Sequence, residues 1–204
     1  MLPARHLMMK KRLVAISVIV ISLWSLSAVW QPAVAQEGRR HPGRNKAQAA
    51  DRWQTFTGPD GDFTLAFPQK PNREPDTQGV VTIIRAYSVT TESGMHFSVN
   101  FQDLGGDPRA RRNNEYDQSA EEMMADAARD QGQRVVQIHR IARNIIETEL
   151  WQTLPETGNN INYVTRNIVR RGRVYTLGCG SVINNQEVNK TICQRFFNSV
   201  RFTR

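Results

Sequence analysis

The residues able to do chemistry are few. Two cysteines, Cys179 and Cys193, stand 14 positions apart in a chain of 204 residues. In an oxidising compartment such a pair forms a bridge, and a loop of that size contributes about 3 kcal/mol in the chain-entropy model. The other reading is two buried free thiols. Gly178-Cys179-Gly180-Ser181 superficially resembles the surroundings of a thiol-protease nucleophile. A thiolate nucleophile needs an imidazole to take its proton, and no histidine follows His139. Behind residue 35 the histidines are His41, His96 and His139, and neither two of them nor a Cys/His pair stands at metal-ligand spacing. The chain has no G-x-S-x-G, no Walker loop and no G-x-G-x-x-G. No catalytic residue, metal or cofactor is therefore expected. Glu121, Glu122, Asp126 and Asp130 fall on the outer face of one helical run. Carboxylates there serve solvation and the helix dipole more often than acid–base work.

Arginine is the distinctive side chain. Arg166, Arg170, Arg171 and Arg173 gather around one short turn, and Arg109, Arg111 and Arg112 around a helix entry. Guanidinium forks suit carboxylate or phosphate. Tyr163 and Tyr175 are the nearby aromatic residues, too few for the stacking platform of a single-strand nucleic-acid binder. The first cluster reads as a protein-contact surface, or else as a solvated hairpin.

The net charge of +8 needs locating. Residues 1–35 carry four basic and no acidic residues, 36–52 carry five against two, and 53–204 carry 18 against 17. Lys10-Lys11-Arg12, an uncharged apolar run from Leu13 to Trp30, and Ala33 and Ala35 in an A-x-A pattern form a secretory signal, with cleavage expected after Ala35. The run is long enough for an uncleaved anchor as the alternative. Residues 36–52 read as a flexible basic linker, with tethering to an anionic surface as its functional reading. The excess charge thus lies before the domain, and a nucleic-acid role loses its support.

The elements that must position these residues follow from hydrophobic period. Trp53–Thr57 and Asp62–Phe67 flank Gly58-Pro59-Asp60-Gly61, a hairpin signal. Val80–Thr90 and Met95–Phe101 flank Glu92-Ser93-Gly94; Met95, Phe97, Val99 and Phe101 alternate there with His96, Ser98 and Asn100. Ser119–Glu122 is a capping box and Gly132 a C′ glycine, so a helix is expected at 119–131. Strands follow at Arg134–Ile141, Asn144–Gln152, Ile161–Arg170 and Arg173–Cys179, with a turn at Arg171-Gly172. A closing helix spans Glu187–Asn198, and an extended end Val200–Thr203. The order reads as α+β, with a mostly antiparallel sheet covered by helices in one domain over 53–204.

Gly61-Asp62-Phe63-Thr64-Leu65-Ala66-Phe67-Pro68-Gln69-Lys70-Pro71 resembles the opening hairpin of PsbP-like proteins. Phe196-Phe197-Asn198-Ser199-Val200-Arg201-Phe202 resembles their closing phrase. The resemblance spans about 150 residues, Trp53 to the C-terminus. It implies an α-β-α sandwich on an antiparallel sheet, in an exported or lumenal accessory protein rather than an enzyme; one branch of that family supports photosystem II. The lipoprotein cysteine of the cyanobacterial branch is absent, and the Cys179/Cys193 pair is not a general family feature. The expectation is an exported, non-catalytic domain of periplasm, thylakoid lumen or cell exterior that contacts a protein or membrane-associated complex. The alternative is an extracytoplasmic hydrolase, which a deep pocket gathering buried carboxylates or His96 would favour.

Overall fold

A computed structural model describes residues 53–78, 83–103, 120–130, 132–154 and 157–203. The expected signal, the basic linker, Ser119 of the capping box and the Arg109–Arg112 cluster lie outside them.

The chain opens with β1 (Gln54–Thr57) and β2 (Phe63–Phe67), paired antiparallel. The Gly58–Gly61 turn closes with Gly61 N–H on the Gly58 carbonyl at 2.9 Å. Two-residue strands β3 (Asn72–Arg73) and β4 (Thr77–Gln78), not expected from sequence, lean on β5 (Ile83–Thr90). β5 pairs with β6 (Met95–Asp103), and α1 (Ala120–Asp130) follows. Then come β7 (Arg134–Ala142), β8 (Ile145–Thr153), β9 (Asn160–Arg170) and β10 (Arg173–Ser181). The chain ends in α2 (Lys190–Asn198) and β11 (Arg201–Phe202).

Two sheets result where the sequence suggests one. The larger is antiparallel in the order β3-β5-β6-β10-β9-β8-β7, with β4 also on β5. The smaller is β1-β2-β11, because the extended C-terminal end pairs with β2 at Arg201–Thr64 and Phe202–Phe63.

Strand alternation sends neighbouring residues to opposite faces. On β8, Ile146 packs with Ala120 and Met124 of α1, whereas the carboxylate of Glu147 accepts from Gln194 of α2. The face under α2 and the small sheet holds the main core: Phe63, Leu65 and Phe67 from β2, Phe97, Val99 and Phe101 from β6, Leu177 from β10, and Phe196 and Phe197 from α2. Edge-on aromatic pairs join the layers, with Phe67–Phe196 centroids 5.1 Å apart and Phe97–Phe196 5.3 Å. The opposite face is buried yet polar, with Ser88, His96, Ser98, Asn100, Thr165, Asn167 and Thr176. Thr176 Oγ1 donates to Asn167 Oδ1 at 2.7 Å, so these groups satisfy one another in part.

Helix ends follow local chemistry. Gly132 (φ 70°) takes the left-handed position after α1; its N–H bonds Arg129 O at 2.8 Å, and Gln133 N–H bonds Ala128 O at 2.9 Å, a Schellman closure. The closing helix begins later than Glu187. Asn189 caps it, accepting from Ile192 N–H at 3.1 Å, while Val188 lies outside the helix and gives its N–H to Asn162 Oδ1 at 2.9 Å. Val188 fits the helical period because it packs as the residue before the cap, in the same cluster as Cys193.

Candidate functional site

The β9–β10 turn places Arg171 and Gly172 both at positive φ, 51° and 72°, the geometry of a tight two-residue hairpin. Beside it Arg173 reaches back to the first hairpin. Its Nη1 donates to Asp60 and Asp62, each at 2.8 Å, and its Nε to Asp103 of β6 at 2.8 Å. Burial alone would lower the Arg173 pKa, but the hydrogen bonds it donates to Asp103 and Asp60 outweigh it and hold the guanidinium above its ordinary range. Asp60 is held below the usual carboxylate range, first by the Arg173 hydrogen bond, against a smaller opposing effect of burial. Tyr175 donates to Asp62, and its hydroxyl is pushed up by burial and by that carboxylate. Arg170 lies over the Phe202 ring at 4.9 Å. Arg171 is exposed. The turn is thus backed by three carboxylates and a ring.

Arg166 departs from the expected contact surface. It is 9% exposed and lies on the core side of β9 under α2. It donates to Glu147 Oε2 from Nη2 at 2.8 Å and from Nε at 3.1 Å, to Gln194 Oε1 at 2.8 Å and to Asn198 Oδ1 at 2.9 Å. Its guanidinium also covers the Phe197 ring at 4.9 Å. A charge so placed holds α2 on the sheet and has little left to offer a partner.

The same elements form a cavity of about 70 Å³, lined by Gln137 and His139 of β7, Glu147 and Glu149 of β8, Val164 of β9, and Lys190, Cys193 and Gln194 of α2. His139 stands opposite Glu147 in the strand register, and Gln137 opposite Glu149. Both carboxylates are neutralised: Glu147 by Arg166, Glu149 by Lys190 Nζ at 2.7 Å. Ligand pockets usually measure roughly 300–1,000 Å³, so this one suits a few waters. The sequence carries a signal for it, since Glu147 and Glu149 stand two apart among apolar residues and so share one face.

The cysteines pair as one of the two readings has it: Cys179 of β10 and Cys193 of α2 form a disulfide with Cα atoms 5.5 Å apart. His96 lies on the polar face, 3% exposed, with Thr90 Oγ1 3.0 Å from Nδ1. It is far from being a surface histidine, and it does not line the cavity. Among the helix carboxylates, Glu121 accepts two bonds from Arg140, each 2.6 Å, and Asp126 one from Arg129 at 2.5 Å. Among the described residues no three His, Cys, Asp or Glu side chains could hold a metal ion, and no helix is long and apolar enough to cross a membrane. His41 lies outside the described residues.

Fold and site together define a mostly antiparallel α+β domain in which Arg166, Arg173, Glu147 and Glu149 are held in internal pairs. The chain is similar to the solution structure of cyanobacterial PsbP (CyanoP) from Synechocystis sp. PCC 6803, at 11% identity and a TM-score of 0.45, over 81% of this chain and 100% of that one. No family model matches the chain, and no curated protein matches it.

Proposed function

We propose that the chain is an exported, non-catalytic accessory domain, an α-β-α sandwich that contacts a protein or a membrane-associated complex through the β9–β10 turn. The observation that carries this reading is the fixed backing of that turn: Arg173 is held by Asp60, Asp62 and Asp103 and so steadies the loop that presents Arg170 and Arg171. A preorganised cationic turn loses little entropy on meeting carboxylates or phosphates. The neutralised Glu147 and Glu149 support the non-catalytic reading, because a general acid or base needs a proton site open to substrate. The PsbP-like phrases at 61–71 and 196–202 add a photosystem complex as the kind of assembly served.

The test is binding of the full chain to membranes isolated from its own source, before and after Arg170→Glu with Arg171→Glu. Arg173 stays, since reversing it would set four carboxylates together. The double variant, with an unchanged circular-dichroism spectrum, is expected to bind about tenfold more weakly, a change of about 1.4 kcal/mol. Unchanged binding overturns the assignment to this turn.

A further inference from the structure

We propose that the cleft under α2 is a thiol-exchange site, through which a small dithiol reaches Cys193 and opens the Cys179–Cys193 bridge. Both cysteines are buried, so bulk solvent does not touch them. The cleft does reach the bridge. Cys193 is part of its lining, and so is Val164, which stands opposite Cys179 in the β9–β10 register. Cys179 itself is not part of the lining. The α2 half of the bridge therefore lies on the cleft side, and the β10 half behind it.

A weak latch guards this path. Lys190 and Glu149 both line the cleft, and their ion pair at 2.7 Å joins α2 to β8. Lys190 stands three residues before Cys193, on the same helix face. Its side chain is 65% exposed, and a pair so open to water contributes little and parts readily. Arg166 and Lys190 offset Glu147 and Glu149, so a thiolate enters without net repulsion.

The chemistry balances as an exchange of two electrons and two protons. A thiolate of the dithiol attacks Sγ of Cys193; the bridge breaks, and its electron pair leaves on Sγ of Cys179, which takes a proton from solvent. The second thiol, giving up its proton, attacks this mixed disulfide. The dithiol leaves as a cyclic disulfide, and Cys193 is protonated in turn. Helix α2 then loses its covalent tie to β10 but keeps the hydrogen bonds of Gln194 and Asn198 to Arg166. The bridge is thus a redox-sensitive clasp on α2, independent of the Arg170–Arg171 reading.

The test is the rate at which dithiothreitol opens the bridge in the folded full chain, read by alkylation and mass spectrometry. It is repeated at urea concentrations below the unfolding transition. The expected rate is proportional to dithiothreitol and nearly flat in urea, and 2-mercaptoethanol is expected to leave its first adduct on Cys193. Lys190→Ala, which removes the latch, is expected to speed opening about tenfold, and Gln137→Phe, which fills the cleft from an exposed β7 position, to slow it about tenfold. A loosened fold can only speed reduction, so the slowing by Gln137→Phe stands even if Lys190→Ala disturbs the helix. A rate that climbs with urea in step with unfolding, a first adduct on Cys179, a wild-type rate in Gln137→Phe, or a bridge that resists dithiothreitol in the folded chain overturns the proposal.

Discussion

His96 shows what burial does to an imidazole. Burial drives its pKa from 6.5 to about 4, because the folded environment disfavours the cation. Between those values the unfolded chain binds a proton that the folded chain refuses. Stability is therefore complete above pH 6.5 and is lost as pH falls toward 4, by about 3 kcal/mol in all. Urea unfolding between pH 7 and 4 should show that loss, and His96→Asn, which keeps an acceptor near Thr90, should remove most of it. An equal slope in the variant would locate the effect elsewhere. Alternation along β6 legibly puts His96 on the polar side. What alternation leaves out is that polar and exposed differ here, since Ser98, Asn100 and Thr176 on the same face are buried too. His139 is illegible for another reason: the bulges at Val136 and Ile141 break the period of two, so no face can be read from the sequence.

Among the elements, α2 is held at three points along its length. Its first turn is capped by Asn189, its middle is bonded through Cys193 to Cys179, and its inner face meets Arg166 through Gln194, Asn198 and Phe197. Reduction, or Cys179→Ser with Cys193→Ser, should cost about 3 kcal/mol in denaturant unfolding, with the largest rise in amide exchange at 190–198. A loss below about 0.5 kcal/mol would mean that packing alone seats the helix. Strands β1, β2 and β5–β10 are legible because hydrophobic period and turn residues agree there. The two-residue strands β3 and β4 carry no period, and the start of α2 is hidden by Val188, whose apolar side chain serves the core from outside the helix. The cleft under α2 is half legible: the Glu147/Glu149 spacing is visible, but Lys190 and Arg166 reach it only through tertiary packing.

At the scale of the whole molecule, the two sheets are joined by one core and by side chains that reach the Asp60–Asp62 turn, namely Arg173, Tyr175 and Arg85. Arg173 ties the Asp60–Asp62 turn of the small sheet to Asp103 of the large one. Arg173→Ala leaves Asp62 partly buried without its cation and should cost about 2 kcal/mol. Exchange at 54–67 should rise more than exchange at 173–181. A uniform rise would show that the two sheets open as a unit. Neither the tie nor the second sheet is legible in the sequence, because both depend on residues more than 100 positions apart.

The pairing of β11 with β2 also sets an order of events. Phe67 meets Phe196, and Thr64 meets Arg201, across almost the whole length of the domain. Several partners that bury the first hairpin thus come from the far end of the domain, synthesised long after the hairpin itself. Loop closure over such a separation is slow. The hairpin at the front of the domain can form early, but it has no finished core to join until the C-terminal end arrives. Synthesis yields one late, cooperative closure in place of a fold that grows from its N-terminus.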